Sequence, residues 1–180
     1  MKGRLIYIVG PSGAGKDSVI GYARERLPAG SKVVFARRTI TRHGDAGGED
    51  HVGVTGEQFE SMLSSGAFAM HWRANGLAYG IGREILDWLE AERTVVVSGS
   101  RGHLPEALDG FPGLEVVQIT ANPETLKARL MQRGREHAGE IEARLARAAD
   151  LGLLLGARAT TITNDGDLAQ AGGRLLELLS

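Results

Sequence analysis

A short apolar run near the amino terminus leads directly into a glycine-rich loop, and the loop leads into a helical pattern. The run is Leu5–Val9, and the residues that follow it, 10–18, read GPSGAGKDS. Apolar residues then recur at the spacing of one helix face as far as Leu27. A continuous apolar run of this kind is typical of a strand buried on both faces. The order of strand, glycine loop and helix therefore restricts the chain to folds in which a buried strand feeds a helix through a tight turn.

The same alternation continues along the chain. Further strand patterns lie at 33–35, 95–97, 116–119 and 160–163, and helical patterns lie at 84–91, 104–108, 123–132 and 168–179. Alternation of strands and helices implies crossover connections, which produce a parallel sheet flanked by helices. The sequence therefore predicts an α/β fold, and we expect residues 1–180 to form a single domain.

The glycine-rich loop matches most of a phosphate-binding pattern, which requires Gly, four residues, Gly, Lys and then a hydroxyl side chain. Gly10, Gly15 and Lys16 fit, and backbone N–H groups of such a loop cradle phosphates while the lysine reaches the outer ones. The alternative is a glycine-rich turn at a helix start, but the lysine and the flanking elements favour nucleotide binding. The predicted donor site comprises Gly10, Pro11, Ser12, Gly13, Ala14, Gly15, Lys16, Asp17 and Ser18.

Asp17 stands where the pattern requires the hydroxyl side chain, and it has three interpretations. It can favour the dipole of the helix as an acidic residue in the first turn. It can instead lie in the shell of a Mg²⁺ ion, or Ser18 can take over the hydroxyl's task by a local shift. We favour Asp17 as a metal ligand, because Mg²⁺ prefers oxygen ligands and often takes one or two carboxylates together with substrate phosphates. The strand at 95–97 also ends in Ser98 and Ser100, without the aspartate that usually lies on the magnesium side.

Composition limits the partners that the chain can have. A net charge of −1 provides no basic field for nucleic acid or an anionic membrane, so local arginines must meet any anionic ligand. The absence of cysteine excludes disulfides, thiol nucleophiles and thiolate metal sites. No apolar stretch is long enough for a signal-peptide core or a membrane span. We therefore expect a cytoplasmic protein with neither nucleic acid nor a membrane as its partner.

Two segments depart from the plain alternation of strands and helices. Residues 37–81 contain a polar loop, a predicted helix at 57–64 and two short strands around Asn75–Gly76, a hairpin signal. Residues 133–140 read RGREHAGE and form a polar turn between two arginine-bearing helices. We interpret the first segment as an insertion that binds the phosphoryl acceptor, and the second as a lid.

Clustered arginines mark both segments. Arg37, Arg38 and Arg42 follow the second strand, near the carboxyl ends where open α/β sheets bind ligands. Their guanidinium groups can grip phosphates bidentately, although a solvated basic patch is the alternative. The neighbouring Glu49 and Asp50 can hold sugar hydroxyls or a second metal, or simply balance the arginines.

The predicted lid region carries a second set of arginines. Arg129 and Arg133 share one helix face, with Leu126 and Leu130 expected to anchor the other, and Arg144 lies on the next helix. Surface ion pairs are the alternative to a role in catalysis. A transferring phosphoryl group nevertheless needs cations around it, and a closed lid excludes water.

The segments GPSGAGK, RRTITR, EQFESML, AYG, LKARLMQRG, IEARL and ITND resemble the guanylate kinase family in order and spacing, over nearly the whole chain. The resemblance implies a P-loop core with a parallel sheet flanked by helices, an acceptor-binding insertion and an arginine-bearing lid. It also implies that Arg42 binds an acceptor phosphate and that Asn164 lies near the donor adenine. The catalytic residues that it implies are Lys16, Arg129, Arg133 and Arg144.

The departures from that family fall on residues that bind its acceptor nucleotide, and most of them on residues that read the base. His51 replaces an acceptor-phosphate tyrosine, His71 replaces a base-reading glutamate, and Ile81 replaces a hydroxyl residue. Ser98 and Ser100 replace two acids. Because a base is read by hydrogen bonds to such groups, the chain keeps the phosphate chemistry and loses base recognition.

Within the family, GPSGAGKDS, GGEDH, FAMHW, YGI and SGSRGHL resemble the ribose 1,5-bisphosphate phosphokinases of phosphonate breakdown. The resemblance implies transfer of the γ-phosphoryl group of ATP, with Mg²⁺, to a small phosphorylated sugar, ribose 1,5-bisphosphate. The products would be 5-phospho-α-D-ribose 1-diphosphate (PRPP) and ADP. The candidate acceptor-binding residues are Arg37, Arg38, Arg42, Asp50, His51, Tyr79 and Arg101.

Two other functions stay open from the sequence. One is a nucleoside monophosphate kinase of altered specificity, and the other is a catalytically silent, guanylate-kinase-like binding module. Intact Gly15 and Lys16 argue against the silent module, because such a module has no use for a phosphate-binding lysine.

Overall fold

The computed structural model describes residues 2–42, 50–133 and 159–180. The strands in these residues are β1 (Arg4–Val9), β2 (Val33–Phe35), β3 (Arg38–Ile40), β4 (His51–Gly53), β5 (Phe68–Ala74), β6 (Leu77–Gly82), β7 (Thr94–Ser98), β8 (Glu115–Thr120) and β9 (Ala159–Thr163). The helices are α1 (Lys16–Arg26), α2 (Gly56–Ser64), α3 (Glu84–Glu90), α4 (Leu104–Gly110), α5 (Pro123–Arg133) and α6 (Leu168–Leu179). None of these helices is long and apolar enough to cross a membrane.

The five strands predicted from apolar runs form one sheet, with the order β2-β7-β1-β8-β9. The strands of the β2–β7 pair and of the β8–β9 pair run parallel. Residues Leu5–Val9 are all buried, as expected for a strand with neighbours on both sides and layers on both faces. The predicted parallel sheet is therefore confirmed.

The predicted insertion contains a second sheet with the order β4-β3-β6-β5. Its hairpin turns at Asn75 and Gly76, whose φ angles of 50° and 74° match the left-handed conformations that such a tight turn requires. The predicted polar loop after residue 37 is wrong in part, because Arg38–Ile40 and His51–Gly53 are strands. Three-residue strands are too short to show periodicity, and β3 is defined by its pairing with β4 and β6.

The chain divides into two compact units. The first comprises Met1–Tyr7 and Gly30–Leu114, and includes the second sheet, β2, β7 and helices α2 to α4. The second comprises Ile8–Ala29 and Glu115–Ser180, and includes α1, α5, α6, β8 and β9. The predicted acceptor insertion therefore lies in the first unit, and the glycine-rich loop lies in the second.

The second sheet of the first unit is supported by a small aromatic core. The rings of Phe59 in α2 and Phe68 in β5 stack with their centroids 4.8 Å apart, and Ala78 completes this buried cluster. Helix α2 begins with a capping box, in which Thr55 and Gln58 each accept a hydrogen bond from the other's backbone N–H. This capping defines where α2 begins, and Phe59 holds the helix on the sheet.

In the second unit, α1 packs against α6. Gly172 permits this approach, because a Cβ atom there would lie 2.2 Å from Cδ1 of Tyr22. Asp167 caps α6 by accepting a hydrogen bond from the N–H of Ala169 at 3.0 Å. Helix α6 also packs against β9.

Candidate active site

The glycine-rich loop connects the end of β1 to the start of α1. Gly13 and Gly15 have φ angles of 89° and 77°, in the left-handed region that favours glycine. Gly15 is the N-cap of α1, and no side chain at this position accepts a hydrogen bond from the first N–H groups of the helix. Left-handed residues before an uncapped helix start turn backbone N–H groups toward a common point, which is the geometry that binds phosphates.

Close packing around the loop explains two of its glycines. A Cβ atom on Gly10 would lie 2.4 Å from the carbonyl oxygen of Ile119 in β8. A Cβ atom on Gly15 would lie 2.5 Å from Nδ2 of Asn164. The loop is therefore seated directly on the ends of β8 and β9, and residues with side chains cannot replace these glycines without displacing it.

Asn164 supports the loop through a buried hydrogen bond. Its Nδ2 donates to the carbonyl oxygen of Ala14 at 2.8 Å, and its own N–H donates to the carbonyl oxygen of Thr120 at 2.8 Å. The side chain is 4% exposed. The contact shown by the structure is therefore with the loop itself, and the predicted position near a donor adenine stays a prediction.

Lys16 and Asp17 form an ion pair at the start of α1, with Nζ and Oδ1 3.1 Å apart. The Lys16 side chain is 14% exposed, whereas that of Asp17 is 50% exposed. Among residues 2–42, 50–133 and 159–180, no group of three His, Asp or Glu residues could hold a metal ion. One exposed carboxylate fits a Mg²⁺ ion that takes its other ligands from phosphates and water.

Of the predicted lid arginines, the structure places the side chain of Arg129 beside the loop. Its Nη1 donates to the carbonyl oxygen of Gly13 at 3.4 Å. Leu126 and Leu130 are buried on α5, as predicted. Arg133 ends α5, while Arg144 and residues 134–140 of the predicted lid lie outside the described residues.

Pairing of β3 with β4 brings several candidate acceptor residues together in the first unit. Arg38 lies opposite His51 in this strand pair, and Arg37 directly precedes Arg38. Arg37 Nη2 donates to Asp50 Oδ1 at 2.8 Å and to the carbonyl oxygen of His51 at 3.3 Å. In this structure the Asp50 carboxylate neutralises the charge of Arg37, which is one of the three roles that the sequence allowed for Asp50.

Arg38 is more deeply buried than Arg37. It is 9% exposed, and its guanidinium carbon lies 5.5 Å from the centroid of the Tyr79 ring. A guanidinium over a tyrosine face is attracted by the ring's quadrupole, which restricts its orientation. Arg38 and Tyr79 are therefore assembled before a ligand arrives.

The remaining acceptor candidates follow strands of the first unit. Arg42 lies two residues beyond β3, and Arg101 lies three residues beyond β7. Both are half-buried. The carbonyl oxygen of Arg101 accepts a hydrogen bond from the N–H of Leu104 at 3.3 Å, so Arg101 opens the turn into α4.

An aromatic column near Tyr79 includes residues that sequence reasoning missed. The Tyr79 and Trp72 rings stack 5.5 Å apart at an interplanar angle of 3°, and Trp72 stacks on His103 at 5.3 Å and 19°. His103 Nδ1 lies 2.7 Å from Oε2 of Glu106. The hairpin register would have paired Trp72 with Tyr79, but no sequence signal places His103 beside them. His71 points away from this column and is exposed, as strand alternation requires.

Comparison with known proteins identifies the family. The chain is 52% identical over 180 residues to a protein of Azotobacter vinelandii named ribose 1,5-bisphosphate phosphokinase PhnN, covering 99% of this chain and 97% of that protein. A protein of the same name from Chromobacterium violaceum is 52% identical over 177 residues, covering 98% and 94%. The chain belongs to the ribose 1,5-bisphosphate phosphokinase family. The predicted family is confirmed.

Membership of the ribose 1,5-bisphosphate phosphokinase family agrees with the other comparisons. A protein of that name from Laribacter hongkongensis is 54% identical over 178 residues, although this chain spans only 43% of its length. The crystal structure of guanylate kinase from Anaplasma phagocytophilum matches with a TM-score of 0.75 at 19% identity, covering 98% of this chain and 84% of that one. This match confirms the predicted guanylate-kinase-like fold. No family model matches the chain.

Proposed function

We propose that this chain transfers the γ-phosphoryl group of ATP to the 1-phosphate of ribose 1,5-bisphosphate, producing PRPP and ADP in the cytoplasm during phosphonate catabolism. The observation that carries the proposal is 52% identity over 97% of a relative named for this activity. The phosphate-loop geometry supports the same conclusion, because the left-handed Gly13 and Gly15 before the start of α1 have the conformation typical of loops that bind phosphates.

In the donor half, backbone N–H groups of the glycine-rich loop hold the ATP phosphates, and the Lys16 ammonium neutralises the outer ones. Asp17 would hold Mg²⁺, which when bound neutralises charge on the donor phosphates. Lys16 must then exchange its present contact with Asp17 Oδ1, at 3.1 Å, for a phosphate oxygen. Lys16 would therefore act directly on the negative oxygens of the donor, and Asp17 would act on them through the Mg²⁺ ion that it holds.

In the acceptor half, the attacking atom is a phosphate oxygen that is already ionised. It forms a bond to the γ-phosphorus while the bond to the oxygen that bridges the β- and γ-phosphates breaks, and ADP leaves with that electron pair. No strong general base is needed, so positioning and charge neutralisation supply the catalysis. This requirement matches an acceptor region that is rich in arginine and fixed by Arg38 over Tyr79.

An acceptor with two phosphates needs more cations than one with a single phosphate. We assign Arg37, Arg38, Arg42 and Arg101 to these phosphates, and Asp50 and His51 to positioning of the sugar or its phosphates. Arg129, Arg133 and Arg144 would stabilise the group in transfer, with residues 133–140 as the lid that excludes water. The contact of Arg129 with the Gly13 carbonyl supports its place near the donor phosphates.

The decisive experiment is incubation of the purified chain with ATP, Mg²⁺ and ribose 1,5-bisphosphate, followed by mass spectrometry for PRPP and ADP. Lys16→Ala should abolish product formation, while Lys32→Ala, at an exposed surface lysine, should retain it. GMP, AMP and ribose 5-phosphate serve as competing acceptors. Preference for GMP would establish the nucleoside monophosphate kinase instead, and ATP binding without turnover of any acceptor would establish the silent module.

A further inference from the structure

The Tyr7 hydroxyl in β1 is bound to both backbone groups of Ser100. It accepts a hydrogen bond from the Ser100 N–H at 2.9 Å and donates one to the Ser100 carbonyl oxygen at 3.1 Å. Tyr7 itself is 0% exposed. One buried side chain thus fixes the peptide groups on both sides of a residue 93 positions along the chain.

The Tyr7 ring also lies directly against the preceding residue, Gly99. A Cβ atom on Gly99 would lie 2.1 Å from Cζ of the ring, so only glycine allows this contact. The ring and the hydroxyl together hold two consecutive residues of the segment that follows β7. Neither contact involves the Ser100 side chain.

The held segment carries Arg101, a candidate for binding an acceptor phosphate. Tyr7 fixes the backbone on the amino-terminal side of Arg101, and the hydrogen bond from the Leu104 N–H to the Arg101 carbonyl oxygen fixes the other side. A side chain that starts from a fixed backbone loses less conformational entropy when it binds a ligand. The position of Arg101 is therefore set before the acceptor arrives.

A hydroxyl is not needed to fill the core at this position, because phenylalanine has nearly the same shape. Burying a polar group is unfavourable unless it is hydrogen-bonded, and here both hydrogen bonds go to the Arg101 segment. Burial raises the pKa of Tyr7 to about 12. The hydroxyl thus keeps its proton, and with it the bond that it donates to Ser100, even at pH 10, where an exposed phenol is half ionised.

We propose that Tyr7 is a positioning residue that fixes the backbone beneath Arg101 and thereby sets the affinity of the enzyme for its phosphorylated acceptor. This inference rests on the proposed function, since ribose 1,5-bisphosphate is the ligand that Arg101 would bind.

The first test is Tyr7→Phe, which keeps the ring and removes only the hydroxyl. The KM for ribose 1,5-bisphosphate should rise about tenfold, with the KM for ATP unchanged. Tyr22→Phe is the matched control, because Tyr22 lies in α1 and contacts Gly172 of α6. Equal KM values in Tyr7→Phe and the wild type would overturn the inference.

The second test asks whether Tyr7 acts through Arg101. In a double-mutant cycle, Tyr7→Phe should have little further effect on the acceptor KM once Arg101→Ala is present. An effect of Tyr7 that does not pass through Arg101 would instead raise the KM by the same factor in both backgrounds, and that additive result would refute the positioning role.

A third measurement does not depend on substrate. Amide hydrogen exchange at Ser100 should be faster in Tyr7→Phe than in the wild type, because the N–H loses its acceptor. An unchanged rate would overturn the inference even in an active enzyme. Failure of the wild type to form PRPP would instead refute the proposed function, and the acceptor part of this inference with it, whatever the exchange rate at Ser100.

Discussion

The side-chain amide of Asn164 donates a hydrogen bond of 2.8 Å to the carbonyl oxygen of Ala14. Asn164 directly follows β9, and Ala14 lies within the phosphate loop between β1 and α1. The bond satisfies a carbonyl on the buried side of the loop, so that the loop does not need a ligand to hold its shape. A loop assembled in advance binds phosphate without an ordering penalty.

Replacing Asn164 with alanine should weaken both the fold and the donor site. The Ala14 carbonyl, on a fully buried residue, would lose its partner, which costs about 1–3 kcal/mol of unfolding free energy. The KM for ATP should rise, while the KM for the acceptor should not. Asn122→Ala is the control, because it removes a bond of the same length, from the Thr125 N–H, at the exposed start of α5. That variant should lose stability without a change in the KM for ATP.

Two glycines lie six positions apart in the chain, and replacing each with alanine should change the unfolding free energy in opposite directions. Gly15→Ala forces a side chain into a φ of 77° and a Cβ atom to 2.5 Å from Asn164 Nδ2, so stability and ATP affinity should both fall. Gly21→Ala meets nothing within 4 Å inside α1 and should raise the unfolding free energy by about 0.5–1 kcal/mol. Thermal unfolding and ATP titration measure both effects. A destabilised Gly21→Ala variant, or a Gly15→Ala variant with normal ATP affinity, would contradict this account.

Local sequence patterns were sufficient to predict most of the elements. Leu5–Val9 could be read as a buried strand because a strand with neighbours on both sides needs no polar face. Asn75–Gly76 predicted the hairpin because few other residue pairs adopt its two positive φ angles. Both patterns depend only on residues that are neighbours in the chain, so they can be recognised in a single sequence.

The features that could not be predicted depend on distant contacts. Strand β3 exists because β6 and β4 pair with it, and its three residues carry no period of their own. Tyr7 appeared only as one apolar residue in a strand, although its hydroxyl binds a residue 93 positions away. Polar residues that act through tertiary structure leave no local pattern for sequence analysis to find.

Asp17→Ser tests the proposed metal role of this carboxylate. If Asp17 lies in the magnesium shell, the Mg²⁺ concentration for half-maximal activity should shift by about 10-fold or more. Glu57→Gln is the control for the helix dipole, since Glu57 is likewise an acid in the first turn of a helix, α2. An unchanged magnesium dependence in Asp17→Ser, together with a small loss of stability like that of Glu57→Gln, would assign Asp17 to the dipole instead.

Stability should depend on Tyr7 at alkaline pH. Burial raises the pKa of Tyr7 from 10.0 to about 12, so between these values the unfolded chain loses a phenolic proton that the folded chain retains. This contribution to stability is complete below pH 10 and is lost as the pH rises toward 12, at about 1.4 kcal/mol per pH unit. Urea unfolding of the wild type and of Tyr7→Phe should therefore show a difference in unfolding free energy that changes between about pH 10 and about pH 12. Parallel pH curves for the two proteins would mean that the folded phenol ionises normally.

Two exposed arginines in ion pairs should differ in their effect on acceptor binding. Arg37 pairs with Asp50 at 2.8 Å beside His51. Arg73, on the hairpin strand β5, pairs with Glu60 on α2. Both pairs are exposed and each contributes only about 0–1 kcal/mol to stability, so neither alanine variant should lower the unfolding free energy by more than that. Arg37→Ala should nevertheless raise the KM for ribose 1,5-bisphosphate, because in the wild type the Arg37 guanidinium leaves Asp50 to bind a phosphate. Arg73→Ala should not change this KM.

The effect of Arg37→Ala should weaken at high salt, since screening reduces the attraction between exposed charges. Equal kinetics in the two variants would make the Arg37–Asp50 pair a surface ion pair and nothing more.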